Sequence, residues 1–261
     1  MMTNFLKDEK NNLETFKRYY DNIQTIYRIL RYTYNREACL LSKDNTDVKY
    51  KVMRHKKVEN VTNFRLNVYD CIVYYKTCFN LYYSLARYKN GIPIFHPKLY
   101  GSFEGMKEAK IKWKEEHHQH IESFDWLIDI DSPDYAHIDV AYNDALEISK
   151  ALQEKKILHD IRFSGCGFHI VVEYENIPHK EEYHFNPYKD GNIYAYLGKK
   201  TKYYHDRYSA LVDYNLNDSR RITKTPYSLV YNHSKSKKIY LCRSLLKGEI
   251  FRLKNFEVKN E

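Results

Sequence analysis

Between residues 3 and 35, apolar side chains return at helical spacing among charges: Leu13, Phe16, Tyr20, Ile23, Tyr27, Ile29 and Leu30. This pattern predicts an amphipathic helical start. The basic stretch LLSKDNTDVKYKVMRHKKVEN, within residues 36 to 68, suits strands joined by loops, and residues 69 to 89 suit a strand or a helix running into one. Asn90-Gly91-Ile92-Pro93 breaks the pattern. A polar helix is expected over 103 to 122, and the apolar run FDWLIDID at 124 to 131 reads as a buried strand ending in carboxylates. Ser132-Pro133-Asp134 stops it. Ile138, Val140, Ala141, Ala145, Ile148 and Leu152 then form a helical stripe over 136 to 156. ILHDIRF (157 to 163) and the alternating, β-branched FHIVVEY (168 to 174) predict two strands around a Ser-Gly-Cys-Gly turn. Residues 176 to 206 read as loop-rich. A helix or strand at 206 to 212 leads to Asp213, and short strands are expected near 226 to 231 and 238 to 243. The sum is an α/β chain with a mixed sheet flanked by helices.

A chain of 261 residues can bury a substantial core. It shows no apolar run of membrane-spanning length and no apolar leader at its start, so an intracellular setting is expected. Its five cysteines, Cys39, Cys71, Cys78, Cys166 and Cys242, are odd in number and include no CxxC pair, which points to free thiols in a reducing compartment and marks no structural zinc. The net charge of +9 favours a polyanionic partner. Its 27 tyrosines, interleaved with Lys and Arg, supply stacking planes beside phosphate-binding charge, as single-stranded nucleic acid requires. An AT-rich coding sequence gives a similar composition, so the chemistry has to come from particular residues.

Three segments carry it. In Asp129-Ile130-Asp131, positions i and i+2 on a strand project both carboxylates to one face. Such a pair repels itself unless a cation intervenes, and hard divalent ions take oxygen ligands. Asp is also common where a strand simply runs into a loop. In Ser164-Gly165-Cys166-Gly167-Phe168-His169, two glycines permit a tight turn and close backbone approach, and a hydroxyl and an imidazole converge across the hairpin in a way that suits a triphosphate. The alternative is an ordinary hairpin. Leu211-Val212-Asp213 offers a third carboxylate, and the following Ser219-Arg220-Arg221-Ile222-Thr223-Lys224-Thr225-Pro226-Tyr227-Ser228 offers cations for phosphates, or merely an exposed charge run.

Taken in order, these segments resemble the archaeo-eukaryotic primase superfamily, with its DxD strand, SxGxH-like turn and hD strand followed by a basic, Pro- and Ser-containing segment. The resemblance spans roughly residues 80 to 242, with Leu81 to Tyr88 similar to an early strand of that family. It implies the catalytic (small) subunit of a DNA primase: an RRM-like sheet packed against a second α/β unit, within a single catalytic domain over 1 to 261. That domain would comprise an N-terminal unit at 1 to 100 and a catalytic unit at 101 to 250. Asp129, Asp131 and Asp213 would hold two Mg²⁺ or Mn²⁺ ions. Ser164, Gly165, Gly167, His169 and Lys224, with Arg220, Arg221 and Ser228, would bind the nucleotide. Implied partners are single-stranded DNA template and NTP or dNTP, with room for a primase large subunit and none for a membrane. The setting would be cytoplasmic or nucleoid-associated, or that of an intracellular viral or plasmid product. The family often carries His where this chain has Val230, while His233 lies further on, and its Cys/His zinc knob has no counterpart here.

Two readings stand beside this one: a primase-family polymerase that extends existing ends in repair or in plasmid or viral replication, and a non-catalytic single-stranded nucleic-acid-binding subunit. A rolling-circle nuclease would need two histidines flanking a bulky apolar residue on a strand, and His118-Gln119-His120 has a polar centre and a helical setting. The same setting predicts that His117, His118 and His120 are solvated rather than metal ligands.

Overall fold

The structure is a computed structural model that describes residues 2–41, 53–57, 61–76, 78–89, 102–215, 218–231 and 238–259. Asn90 to Pro93 and His233 lie outside them. The elements in chain order are α1 (Met2–Asp21), α2 (Ile23–Thr33), β1 (Arg36–Leu41), β2 (Met53–Lys57), α3 (Val61–Tyr75), β3 (Asn80–Tyr88), α4 (Phe103–His117), β4 (Ile121–Phe124), β5 (Trp126–Asp131) and α5 (Ile138–Glu154). They continue with β6 (Asp160–Phe163), β7 (Gly167–Val172), α6 (Ile193–Arg207), β8 (Val212–Asp213), β9 (Ile222–Lys224), β10 (Leu229–Tyr231), β11 (Ile239–Leu241), β12 (Arg243–Ser244) and β13 (Glu257–Val258). Among the described residues, no helix is long and apolar enough to cross a membrane.

The expected α/β class is present, with one correction: among the described residues every strand pairing in the three sheets is antiparallel rather than mixed. The expected helical start is two helices, divided where the Asn22 side chain accepts from the N–H groups of Gln24 and Thr25 and begins α2. The segment expected to be loop-rich contains α6, whose N–H at Ala195 is capped by Asn192.

The central sheet runs β12-β6-β7-β5-β8. The chain leaves β5 through α5 and returns as β6, but β7 lies between those two strands and is antiparallel to both. This is a split β-α-β arrangement. Alternation along the strands gives the sheet two different faces. On one, Trp126, Ile128, Ile130, Phe168 and Ile170 are buried against α5 and α6. The Trp126 indole N–H donates to Thr201 on α6 at 2.9 Å, and Tyr142 on α5 packs on Phe168. Each such apolar side chain contributes roughly 1.5–3 kcal/mol on burial. Val140, expected in the buried stripe of α5, is instead exposed.

The other face carries Asp129, Asp131, Gly167, His169 and Arg162, and it looks across to a second sheet of order β2-β1-β3-β4. In that sheet β9 also joins β3, pairing with residues 82–84, while β4 pairs with residues 86–88. Helices α1, α2 and α3 supply its core, together with Leu229, Tyr231 and Ile239 from the three-stranded sheet β10-β11-β13. The N-terminal unit therefore includes C-terminal residues, and the two cores do not divide at one point in the sequence.

Candidate active site

The last residues of β5 bring the three segments together. Asp129 is the register partner of His169 on one side and of Asp213 on the other, and Asp131 lies opposite Gly167. Three positions far apart in the chain thus form a single rung, His169–Asp129–Asp213. Asp131 N–H donates to Leu211 O at 3.1 Å, which ties the approach to β8 against the end of β5. Asp129 is 8% exposed, Asp213 is half-buried and Asp131 is exposed.

The charges around Asp129 are arranged to hold it ionised. His169 Nε2 lies 3.2 Å from Oδ1 and Arg221 Nη2 lies 3.5 Å from Oδ2. Burial alone would push the carboxyl up, but His169, Arg221 and Lys224 outweigh it and hold the pKa below its ordinary value. His169 is itself oriented by Thr223, whose Oγ1 lies 2.8 Å from Nδ1. Thr223 is a member of this cluster that the sequence analysis did not mark as a site residue. Its signal was the two-residue spacing Arg221/Thr223 within the basic segment. Lys224 Nζ lies 3.4 Å from Cys166 Sγ at the turn. Burial opposes its charge, yet Cys166, Tyr82, Cys242 and Asp129 around it raise its pKa above the usual lysine range.

The glycines of the turn have local causes. Gly165 sits at φ +94°, and a Cβ there would lie 2.5 Å from Val230 Cγ1. A Cβ on Gly167 would lie 2.2 Å from Ile130 O, so the close pairing of β7 with β5 requires glycine. From beyond β5, Tyr135 OH donates to Gly165 O at 2.6 Å and Ser132 N–H donates to Cys166 O at 3.3 Å. Ser164 lies fully buried at the base of the turn.

Other expected residues go elsewhere. Arg220 is not beside the aspartates; its guanidinium stacks on Trp113 at 4.6 Å. Ser228 is buried in the turn before β10, with its hydroxyl donating to Thr225 O at 2.6 Å. His117, expected to be solvated, is 2% exposed and packs on Tyr88 and Trp113. His118 and His120 are half-buried, and burial beside His184 and Lys189 lowers the His118 pKa. All five cysteines are free.

Four polar atoms of the marked residues are buried without a hydrogen-bond partner: Asp129 Oδ1, Ser164 Oγ, Arg220 Nε and Arg221 Nε. His169 Nε2 stands 3.2 Å from Asp129 Oδ1 as a charge neighbour. Native proteins leave few such groups, and those they keep call for a ligand or a role. The carboxylate set of Asp129, Asp131 and Asp213 has the donor chemistry of a hard divalent cation, and Asp129 Oδ1 has no competing hydrogen bond. In the arrangement described, Asp129 faces His169 and Arg221 and Asp213 Oδ1 accepts from Asn215 N–H at 3.0 Å. Among the described residues, no group of three or more His, Cys, Asp or Glu is converged as a metal site.

No family model matches this chain, and no curated protein matches it by sequence. Among solved structures, the chain is similar to the polymerase domain of Mycobacterium tuberculosis ligase D in complex with DNA, with a TM-score of 0.51 and 9% identity over 90% of this chain and 81% of that one. At that identity the similarity is one of fold.

Proposed function

We propose that this chain is a template-directed nucleotidyltransferase, the catalytic subunit of a DNA primase that makes short primers on single-stranded DNA. The observation that carries this reading is the rung His169–Asp129–Asp213, which joins the acidic strand, the glycine turn and the hD strand on one face of a sheet. The fold similarity to a polymerase domain solved with DNA supports it at the level of architecture.

In this reading Asp129, Asp131 and Asp213 hold Mg²⁺ or Mn²⁺. When bound, such ions screen the phosphate charge and help a primer hydroxyl displace pyrophosphate. The chain's own groups supply position and charge. Lys224 and Arg221 neutralise the triphosphate, the Ser164 hydroxyl and His169 Nε2 hydrogen-bond its oxygens, and Thr223 fixes the His169 ring. The buried setting of Asp129 makes each of these interactions stronger than it would be in water. Gly165 and Gly167 serve by shaping the turn. Arg220 and Ser228 act indirectly, Arg220 by bracing the basic segment on Trp113 and Ser228 by fixing the turn after it.

The test is synthesis on single-stranded DNA with labelled ribo- and deoxynucleotides and Mn²⁺ or Mg²⁺, comparing the native chain with Asp129→Ala/Asp131→Ala. New short products that vanish in the variant are expected. Extension of a supplied primer without new starts would favour the end-extending polymerase instead, a reading that the ligase D polymerase-domain fold also suits. No product in either assay, together with no metal-dependent nucleotide binding, would leave a non-catalytic nucleic-acid-binding subunit.

A further inference from the structure

A cavity of about 390 Å³ is lined by residues of both sheets, among them Tyr83 and Arg87 on β3 and Arg162 and Val171 on β6 and β7. It shares walls with the site. Arg162 on β6 is the register partner of His169, and Tyr83 on β3 is the partner of Thr223, so the rung that orients His169 also bounds the cavity. Four arginines line it: Arg31, Arg36, Arg87 and Arg162. Two are neutralised. Arg36 pairs with Asp125 at 2.5 Å, and Arg162 Nε pairs with Asp160 at 2.6 Å while its Nη1 donates to the Tyr83 hydroxyl.

The other two are not. Neither Arg31 nor Arg87 has an ion-pair partner among the described residues, and Arg87 Nε is buried with no hydrogen bond at all. The buried Arg87 Nε without an acceptor costs free energy that a bound anion would recover, and the exposed Arg31 adds a second positive charge beside it. The exposed Glu173 also lines the cavity and has no ion-pair partner among the described residues. The volume is that of a small-ligand site, and Asn176, His159, Leu158 and Val171 add polar and apolar lining to it.

We infer that this cavity is a second binding site, separate from the aspartates and independent of metal, for a phosphate-bearing nucleotide, with Arg31 and Arg87 as its phosphate ligands. It depends on the proposed function only for the choice of nucleotide as ligand, not for its charge chemistry. A strand seated there would lie one rung from His169, so that the cavity would hold either a second nucleotide or a neighbouring residue of the strand.

The experiment measures binding by the full chain in EDTA, using a fluorescent single-stranded oligonucleotide and a fluorescent ATP analogue as probes. The proteins are the native chain, Arg31→Ala and Arg31→Ala/Arg87→Gln. Arg31 is exposed, so its single variant keeps the test sound if the double variant is unstable. The expected result is that the double variant binds at least one probe roughly tenfold more weakly, with a log–log salt slope reduced by about 1.5 to 2, and that the single variant falls between. Loss for the ATP analogue alone would identify a free nucleotide as the ligand, and loss for the oligonucleotide alone a strand phosphate. Unchanged affinity and salt slope for both probes would overturn the inference, even if primer synthesis is observed. Conversely, failure of synthesis with this loss intact would overturn the proposed catalysis alone.

Discussion

At the scale of single residues, the structure brings the marked aspartates and His169 onto neighbouring positions of one sheet, and it shows what holds the turn beside them. The two glycines of the turn were expected to permit a positive φ and a close approach of the backbone to a ligand. Gly165 has the positive φ and lies against Val230, while the close approach at Gly167 is to the carbonyl of Ile130. Val230, which departs from the family's His, is thus the side chain on which the turn rests. A cycle of variants separates strain from contact. Gly165→Ala is expected to cost roughly 1–3 kcal/mol in urea unfolding from left-handed strain and overpacking together. In a Val230→Ala background the overpacking part should disappear and the strain part, about 1 kcal/mol, should remain. Equal costs in both backgrounds would mean that Val230 bears no load. Thr223 invites a different measurement, because it acts on His169 and not on the ligand. Thr223→Val should lower turnover roughly tenfold or more, by analogy with other residues that orient a site imidazole, with a smaller change in nucleotide KM and partial rescue by Thr223→Ser. A KM effect alone would place Thr223 in nucleotide binding.

At the scale of elements, β5, α5, β6 and β7 were legible because each has a clean period and pairs close in sequence. Helix α6 was hidden. Its buried residues, Ile193, Tyr194, Leu197, Thr201 and Tyr204, do follow helical spacing, but Tyr and Thr favour strands and the Pro- and Gly-containing stretch before them suggested a loop. Strand β9 was hidden because it is three residues of polar Ile-Thr-Lys whose partner, β3, lies far back in the chain, and no local pattern reports such pairing. The edge strand β12 owes its place to Arg243, which pairs with Glu249 through two contacts of 2.6 and 2.8 Å and lies over the Phe256 ring. That bidentate bond holds the Glu249 carboxyl below its ordinary value of 4.5, against a smaller opposing effect of burial. Because the folded value is depressed, the stabilisation is complete above pH 4.5 and is lost as acid protonates Glu249 at lower pH. Glu249→Gln should therefore cost about 1 kcal/mol at neutral pH, and the gap between variant and native chain should close in acid. A gap that persists at low pH would assign the effect to packing rather than charge.

At the scale of the molecule, the proposed site draws on two sheets, and a buried ion pair sits where the chain passes between them. Asp125 is the residue that separates β4 in one sheet from β5 in the other. Its Oδ2 accepts from Arg36 Nη2 at 2.5 Å, and its Oδ1 accepts from Tyr174 N–H at 3.1 Å. Arg36 Nη1 also donates to the carbonyls of Ser84 and Leu85 on β3. Both side chains are 3% exposed. Two cores that share C-terminal strands could still slide against each other, and this pair, anchored in β1, β3 and the β4–β5 junction, resists that. Removing one partner leaves the other charge buried and unpaired, so Asp125→Ala should cost about 3–5 kcal/mol, whereas replacing both in Arg36→Met/Asp125→Leu should cost much less. The double variant is the informative one. If the pair sets the facing of the sheets, the variant will be nearly as stable as the native chain in urea unfolding and yet less active, because Asp129 and His169 lie on one sheet and Thr223 and Lys224 on the other. Native stability with native activity would show that apolar packing alone holds the crevice in register.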